Sequence, residues 1–481
     1  MTNKYQISNI KYQIILWFCI VFFAAFFSVL GIRRYKTLNS YYYDLGIMNQ
    51  VVYNTSQGRF LEMTNPTYNK NMSRLAIHFD PILAVFAPLY KIYEGPEVLL
   101  ISQAVILGFG ALAVFLISQM IIKQGLLSLL FSISYLSYFP IQRTVLFDFH
   151  AVTLATTFLL FAFYFNLTKK SFLYFLFIIL SLLTKEHIGL VIFMFGLYLY
   201  FVKKDRKIGI ATSVSGLIFF IIATYVIIPY FRGDAHFATL YFSNIWSRTN
   251  DIIFQGFLYS KMLIIPAFFS LFSPLSFLIA LPEWAINILS SNGNMRSILF
   301  HYNSIIVAVI YYSIILGYKN ITVIFKNKLI QKIFLLIFVV LSIRAVYLYN
   351  PVPGWVKHPV NYKNLDQTVK ASILKWQELL KNENIKVATT PKLAPYFTNR
   401  RYYYNFLYDS AFREMNISEE DILRDNINKY QLADYVIINK DEIGNLSEIK
   451  LPVKFYQKLV DDNNFEMIFS DDIKIEVYMK I

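Results

Sequence analysis

Cysteine and charged residues are scarce in this sequence, and several common catalytic motifs are missing. The one cysteine, Cys19, lies in the first apolar stretch, so no intrachain disulfide can form. Charged residues make up 16% of the chain. We find no phosphate-binding glycine-rich loop, no G-x-S-x-G elbow, no H-E-x-x-H motif and no strong internal repeat. Nucleotide-driven chemistry in the cytoplasm therefore has no support.

Apolar residues dominate what is present. The chain is 56% hydrophobic and 18% aromatic, with a mean hydropathy of +0.47. These values are too apolar for a soluble protein of 481 residues and indicate a polytopic α-helical membrane protein. The net charge of +15 does not require a nucleic-acid partner. The segments predicted to be cytoplasmic hold thirteen basic residues and one acid, Asp205, which is the positive-inside pattern.

We predict about eleven transmembrane helices in the plasma membrane, with the N-terminus cytoplasmic and the C-terminus outside. The first stretch lacks a small-x-small cleavage site before Arg33-Arg34, so it is predicted to be a retained helix rather than a signal peptide. Residues 32–96 and 232–260 are predicted outer loops. The predicted spans are 12–31, 97–122, 126–147, 151–167, two short legs within 171–202, 208–231, 262–272 and 275–289 (a hairpin or a re-entrant pair), a helix ending near 316, and 329–349.

The two short legs enclose the turn Lys185-Glu186-His187. Basic residues flank the pair at 169–170 and 203–207, so both ends are predicted to be cytoplasmic. Legs of roughly 15 residues reach only about 22 Å, short of the roughly 30 Å hydrocarbon core. The turn should therefore lie in an indentation of the outer surface, where ionisable groups indicate a functional site. The alternative is a structural salt bridge between the charged residues of the turn itself.

The chain is predicted to divide into a transmembrane domain, residues 1–350, and a soluble extracytoplasmic α/β domain, residues 351–481. Apolar residues recur at helical spacing at Leu365, Val369, Ile373, Trp376 and Leu380. Short apolar runs that predict strands are 386–389, 435–438, 466–469 and 473–479. We interpret Arg400-Arg401 and the tyrosines after it as a solvated surface followed by a strand.

Polar chemistry is concentrated on the predicted outer side, where all six histidines fall. Asp44 follows three tyrosines, and an aromatic surround can raise the pKa of a carboxylate and suit it to act as a base. His78 and Asp80 precede a proline, and Asp148 and His150 flank a phenylalanine in a predicted hairpin turn. The aspartates could equally be helix caps. Asp148 and His150 could also supply metal ligands.

Two further features add cations and one carboxylate to this side. Lys185 offers a point charge suited to phosphate. Arg296, His301 and Tyr302 lie in and after a loop that looks able to present cations at the membrane surface, and Glu283 precedes it. The alternative for Arg296 is a snorkelling side chain in a flexible connection.

Taken together, these motifs resemble an uncharacterised membrane family known as domain of unknown function 2079. The resemblance covers residues 41–316 well and the remainder loosely. It rests on motifs that occur in the family's order: Tyr43-Asp44-Leu45-Gly46-Ile47, His78-Phe79-Asp80-Pro81-Ile82, Phe147-Asp148-Phe149-His150, Lys185-Glu186-His187, Leu281-Pro282-Glu283, Leu289-Ser290-Ser291, Arg296 and His301-Tyr302. The family in turn resembles the GT-C glycosyltransferases, which take a sugar from a polyprenyl-phosphate carrier on the outer face.

The resemblance implies a glycosyltransferase with a glycan, lipid or protein as acceptor. Asp44 matches the place of the superfamily's catalytic acid in the first outer loop, although its usual paired acid is missing. Lys185, Arg296 and His301 are expected to stabilise the phosphate. A divalent metal ion is the one cofactor considered, with Asp44, Asp148 and His150 as its candidate ligands. The expected catalytic residues are Asp44, Asp148, Lys185 and Glu186, with Asp148 holding a metal or orienting the acceptor. The candidate substrate-binding residues are His78, Asp80, His150, His187, Glu283, Arg296, His301 and Tyr302.

Two other functions are consistent with the composition. A transporter or flippase for a lipid-linked or small polar substrate would also use intramembrane Lys and Glu, but it should show repeats and polar residues that reach both faces. A non-catalytic envelope scaffold would tolerate apolar replacements at Asp44 and Lys185.

Overall fold

We analysed a computed structural model, which describes residues 2–65, 71–236, 241–406, 429–444 and 450–481. In chain order, its α-helices are α1 (Thr2–Lys36), α2 (Ile47–Ser56), α3 (Ala87–Tyr90), α4 (Glu97–Ile121), α5 (Gly125–Ser137), α6 (Phe139–Leu146), α7 (Ala155–Leu167), α8 (Ser171–Leu182), α9 (Ile188–Phe201), α10 (Arg206–Ile222), α11 (Ile228–Arg232), α12 (Thr249–Ile264), α13 (Pro274–Phe277), α14 (Leu281–Leu289), α15 (Ser304–Ile324), α16 (Lys328–Tyr349), α17 (Gln367–Leu379), α18 (Ala394–Phe397) and α19 (Leu451–Val460). The strands are β1 (Glu62–Thr64), β2 (Asn71–Ser73), β3 (Val387–Thr389), β4 (Tyr403–Asn405), β5 (Tyr435–Asn439), β6 (Phe465–Ser470) and β7 (Ile475–Lys480).

Six helical segments of the described chain are long and apolar enough to span a membrane: Ile10–Lys36, Glu97–Ile121, Arg206–Arg232, Trp246–Phe272, His301–Ile324 and Lys328–Tyr349. Helices α5 and α6 form a seventh candidate that bends by 45°, and Pro140 near the start of α6 accounts for the bend. The prediction of a polytopic helical membrane protein is confirmed. The predicted count of eleven is larger because it included helices of 10–17 residues, whereas a span needs about 20.

Both predicted outer loops contain helical segments, and the loop over residues 32–96 contains α2 and α3. We predicted an outer loop over residues 232–260, but α12 begins at Thr249 and runs into a 3-10 segment, Ile265–Phe272. Asp251 and Lys261 interrupt the apolar run in the sequence, yet both lie on the exposed face of α12. The buried face carries Ile252, Gly256, Tyr259 and Leu263 at helical spacing.

The chain separates into two compact units. The first unit comprises residues 1–31, 75–82 and 100–361, and the second comprises 32–74, 83–99 and 362–481. In the first unit, α15 is the central helix, because nearly all of its side chains are buried and it packs against α7 and the segment Ile265–Phe272. The predicted short legs are confirmed as α8 with 12 residues and α9 with 14.

Helices α9 and α10 lie unusually close together because glycines line their contact. A Cβ atom added at Gly196 would lie 2.3 Å from the Ser213 backbone nitrogen, and one at Gly189 would lie 2.5 Å from the Gly216 carbonyl oxygen. Small residues let helix backbones approach in this way within membrane proteins. This contact supports the N-terminal end of α9, which follows directly after the Lys185–His187 turn.

The second unit contains a five-stranded sheet with the strand order β4-β3-β5-β7-β6. Strands β4, β3 and β5 are parallel, while β7 is antiparallel to both β5 and β6. The predicted helix corresponds to α17, which buries Val369, Ile373 and Trp376. The four predicted strand runs match β3, β5, β6 and β7. The prediction of a small α/β fold for the C-terminal region is confirmed.

The first loop of the chain is part of this same unit. Nδ2 of Asn49, in α2, donates to Thr398 Oγ1 over 2.9 Å and to Asn399 Oδ1 over 2.6 Å. Arg59 forms an ion pair with Glu383 over 2.6 Å. Residues about 350 positions apart thus fold together, and the first loop forms one folded unit with the C-terminal sheet.

Arg400 corrects the interpretation of residues 400–401 as a solvated surface. Its side chain is 3% exposed and donates hydrogen bonds to the carbonyl oxygens of Phe397, Ile385 and Leu380 at 2.5–2.8 Å. Burial lowers the pKa of its guanidinium to about 10, so it remains charged at neutral pH. The predicted strand follows as β4, and Arg401 is the exposed member of the pair.

Candidate functional site

The turn between α8 and α9 brings a buried carboxylate next to two imidazoles. Oε1 of Glu186 lies 3.0 Å from His78 Nδ1 and 3.3 Å from His236 Nε2. Glu186 and His236 are buried, while the side chain of His78 is 20% exposed. We call Glu186, His78 and His236 the Glu186 cluster. Its three members come from separate segments of the chain, and the two outermost members are more than 100 residues apart in the sequence. All three belong to the first unit.

Backbone contacts hold the His78 segment against the turn. The Phe79 backbone N–H donates to Glu186 Oε2 over 3.0 Å, and the Ile82 N–H donates to the Leu183 carbonyl over 3.1 Å. The Phe79 ring also packs edge-on against Phe219 of α10, with 5.3 Å between centroids. One oxygen of Glu186 is therefore fixed by the backbone, and the other faces both imidazoles.

The other two residues of the turn lie beside further charged groups. His187 Nε2 is 3.0 Å from Oε2 of Glu283, a buried carboxylate in the first turn of α14. Lys185 is half-buried and acts electrostatically on both Glu186 and His301. The sequence predicts a catalytic or substrate-binding role for each of Lys185, Glu186 and His187. In the structure, each of the three lies near a different set of charged or aromatic side chains.

A second group of rings forms around His301, at the start of the segment leading into α15. The His150 and His301 rings stack with centroids 3.6 Å apart and an interplanar angle of 18°. Phe147 stacks on His150 at 5.5 Å, and Tyr302 lies 4.3 Å from His301. We call His150, His301 and Phe147 the imidazole stack. Stacked imidazoles are best accommodated when at most one ring is charged.

Gln103, in α4, positions the turn that carries Asp148 and His150. Its Oε1 accepts hydrogen bonds from the His150 backbone N–H over 3.1 Å and from Thr153 Oγ1 over 2.9 Å. Its Nε2 donates to the carbonyls of residues 144, 145 and 147 at 3.3–3.4 Å. Sequence reasoning missed Gln103 because a lone glutamine in an apolar helix carries no motif.

The remaining candidate residues of the first unit are placed as follows. Asp80 and Asp148 are 3% and 1% exposed, and Asp148 also accepts a 2.9 Å hydrogen bond from His150 Nδ1 through its backbone oxygen. Arg296 donates to the carbonyls of Ile288 and Ser290 at 3.1 and 2.6 Å. These contacts stabilise the end of α14. They indicate a structural role for Arg296, for which the sequence predicts phosphate binding.

Asp44 belongs to the second unit. It lies in a single π-helical turn, Tyr42–Gly46, and is half-buried. Tyr42 packs on Tyr403 of β4 with 5.0 Å between ring centroids, and a Cβ atom added at Gly46 would lie 3.3 Å from Ala394 Cβ. The turn that carries Asp44 is thus shaped by the C-terminal region.

The Glu186 cluster is a candidate metal site among the described residues, because its three ligand atoms lie within 4.8 Å of one another. It differs from the ligand set expected from the resemblance, which was Asp44, Asp148 and His150. The sequence places His236 on the predicted outer side but indicates no role for it. Its local sequence, Gly233-Asp234-Ala235-His236, contains no signal that pairs it with Glu186.

Comparison with known proteins identifies the family. A family model described as "Predicted membrane protein (DUF2079)" matches residues 34–471, so the chain belongs to that family. A search of curated proteins finds no match. Among solved structures, the chain resembles ArnT from Cupriavidus metallidurans bound to undecaprenyl phosphate, with 10% sequence identity and a TM-score of 0.55 over 96% of this chain and 98% of that one. At this identity the likeness shows the fold alone, and it confirms the GT-C-like architecture expected from the sequence.

Proposed function

We propose that this member of the DUF2079 membrane family is a glycosyltransferase that moves a sugar from a polyprenyl-phosphate carrier to an acceptor hydroxyl. The observation that carries the proposal is the grouping of Glu186, His78, His236 and the His187–Glu283 pair around one short apolar hairpin. Buried ionisable groups in a membrane protein are costly and are typical of functional sites. The fold similarity to a protein bound to undecaprenyl phosphate supports a polyprenyl carrier.

The proposed reaction is a single displacement on the outer face of the membrane. The acceptor oxygen attacks the anomeric carbon while the bond from that carbon to the phosphate oxygen breaks. The acceptor proton passes to a carboxylate base, polyprenyl phosphate leaves, and the configuration at the anomeric carbon is inverted. Asp44 is our proposed base, on the strength of its place in the first outer loop.

The leaving phosphate gains negative charge during this step, which cations can stabilise. Lys185 is the best candidate in the first unit because it is half-exposed and lies beside the buried Glu186. His301, on which the charge of Lys185 acts, offers an imidazole donor, and His150 stacks on its ring. The contacts of Arg296 with carbonyl oxygens favour a supporting role for that residue.

The test is mass spectrometry of cell-surface glycans and lipids from cells with and without this protein. We expect one glycan or lipid to lose a sugar when the gene is deleted, and wild-type protein to restore it. Asp44→Asn and Lys185→Ala should fail to restore it, whereas the matched exposed substitutions Asp461→Asn and Lys170→Ala should succeed. Full restoration by both site variants would remove these roles, and an unchanged glycan and lipid profile would contradict the transfer reaction.

A further inference from the structure

We propose that the Glu186 cluster binds a divalent transition metal ion of the zinc class. The ligands are His78 Nδ1, His236 Nε2 and Glu186 Oε1. This inference concerns the affinity of three side chains for a metal, and it holds or fails independently of the sugar transfer proposed above.

Two of the three distances between ligand atoms in the cluster are close to those of a metal coordination shell. Zinc binds imidazole nitrogen and carboxylate oxygen at about 2.0–2.2 Å in tetrahedral geometry, which places neighbouring ligand atoms about 3.3–3.6 Å apart. Glu186 Oε1 lies 3.0 Å from the His78 nitrogen and 3.3 Å from the His236 nitrogen. All three ligand atoms fall within 4.8 Å of one another. A central ion therefore requires only small side-chain movements.

The carboxylate of Glu186 is oriented for a single metal bond. Its Oε2 accepts a 3.0 Å hydrogen bond from the Phe79 backbone N–H. That contact leaves Oε1 to face both imidazoles, and outer hydrogen bonds of this kind typically fix metal ligands. Because His78 precedes Phe79 directly, the same short segment supplies both a ligand and the group that orients a second ligand.

The donor set selects the class of metal. Two imidazoles and one carboxylate suit first-row transition ions such as zinc, cobalt and ferrous iron, whereas magnesium and calcium prefer shells made of oxygen. Three protein ligands leave a fourth position for water or another oxygen donor, as in catalytic rather than structural zinc sites. The side chain of His78 is 20% exposed while the other two ligands are buried, so the fourth position is expected on the His78 side.

Lys185 supplies an internal check on the proposal. Its positive charge acts on Glu186 and therefore opposes a bound cation. Removing that charge should leave metal binding intact or strengthen it. If the imidazoles and the carboxylate only form hydrogen bonds and hold no metal, neither the wild type nor this variant should bind an ion.

The experiment measures metal content in the full-length protein, purified in detergent, stripped with a chelator and dialysed against Zn²⁺ or Co²⁺. We expect about one ion per chain by elemental mass spectrometry for the wild type, and cobalt absorption bands typical of tetrahedral coordination. His78→Gln, His236→Gln and Glu186→Gln should each lose at least nine-tenths of the bound ion. His358→Gln, an exposed histidine of the same unit, is the matched control and should retain it, as should Lys185→Ala.

Thermal unfolding separates loss of a ligand from loss of the fold. Added Zn²⁺ should raise the unfolding midpoint of the wild type and of His358→Gln, because a ligand that binds only the folded state stabilises it. The cluster variants should unfold cooperatively without that rise. A stripped wild type that takes up no Zn²⁺ or Co²⁺, or folded cluster variants that retain the ion, would overturn the proposal. A chain that binds zinc here but transfers no sugar would support the metal site and contradict only the proposed function.

Discussion

A few buried polar side chains determine the local geometry around the candidate site, and Gln103 is the clearest example. It makes five hydrogen bonds with the turn that leads from Thr144 to Thr153. Hydrogen bonds from one amide to several groups of the same turn hold those groups in a fixed arrangement, and losing a hydrogen bond to a buried group is costly. We therefore treat Gln103 as a positioning residue for Asp148 and His150.

Replacing Gln103 should test this role directly. Gln103→Leu removes these hydrogen bonds from the turn, which we expect to cost about 1–3 kcal/mol of stability and to lower sugar transfer. The measurements are the thermal unfolding midpoint and restoration of the glycan product. The control is Gln119→Leu in the same helix, because the Gln119 amide nitrogen makes no hydrogen bond within the described residues. Equal behaviour of the two variants would argue against positioning by Gln103.

Arg400 and Arg401 are neighbours in sequence with opposite surroundings. Arg400→Met removes a buried cation together with its three hydrogen bonds to backbone carbonyl oxygens. We therefore expect a loss of about 2–4 kcal/mol of unfolding free energy. Arg401→Met removes a surface ion pair with Glu62 and should cost at most about 1 kcal/mol. Denaturant unfolding followed by fluorescence of the single-substitution variants would measure both. A larger loss of unfolding free energy for Arg401→Met than for Arg400→Met would contradict the structural role that we assign to Arg400.

At the scale of the elements, close helix packing supports the Lys185–His187 turn. Gly196→Leu inserts a side chain where even an added Cβ atom would lie 2.3 Å from the Ser213 backbone nitrogen, so α9 and α10 must separate. We expect a loss of about 1–3 kcal/mol or more, seen as a lower thermal midpoint and a lower yield of folded protein. Gly293→Ala is the control, because a Cβ atom there meets nothing within 4 Å. An unchanged midpoint for Gly196→Leu would show that the helices can part at little cost.

The contact between the segments that follow β3 and β5 contains a carboxyl group that responds to pH. Burial raises the pKa of Glu442 from 4.5 to about 7, and its carboxylate accepts hydrogen bonds from the Lys392 backbone N–H at 3.0 and 3.2 Å. Between these two pKa values the folded chain holds a proton that the unfolded chain has released. The stability contributed by protonated Glu442 is therefore present at low pH, declines as pH rises from about 4.5 to about 7, and then levels off.

Hydrogen exchange provides the measurement for Glu442. Peptides that cover residues 387–395 and 435–444 should exchange faster at pH 7 than at pH 5, after correction for the intrinsic exchange rate. Glu442→Gln should reduce this difference, and Glu466→Gln, at an exposed position of β6, should preserve it. If the pH dependence persists unchanged in Glu442→Gln, another group is responsible.

At the scale of the whole molecule, the charge distribution predicts which side of the membrane each segment faces. The single cysteine, Cys19, can be replaced by serine to give a background without thiols. In that background Lys381→Cys, in the C-terminal region, should react with a membrane-impermeant maleimide in intact cells. Lys204→Cys, in a basic segment, should react only after the membrane is permeabilised. The reverse pattern would invert the proposed orientation and place the candidate site on the cytoplasmic side.

Much of the architecture was predictable because local composition governs it. The strands β3, β5, β6 and β7 follow from short apolar runs, and α17 follows from apolar residues at helical spacing. The helix α12 was mispredicted as loop, because Asp251 and Lys261 interrupt its apolar run in the sequence. The buried state of Arg400 was also missed, since burial of a cation depends on carbonyl oxygens that other segments supply.

The sequence by itself determined that this is a multi-pass membrane protein with a small C-terminal α/β region, and that Glu186 lies in a costly environment. Both properties are set by the hydrophobicity and length of consecutive residues. Only the tertiary structure decided which side chains face Glu186, because His78 and His236 come from segments that no local pattern links. It also decided that residues 32–74 fold with the C-terminal sheet, since hydrogen bonds such as those of Asn49 depend on packing between distant segments.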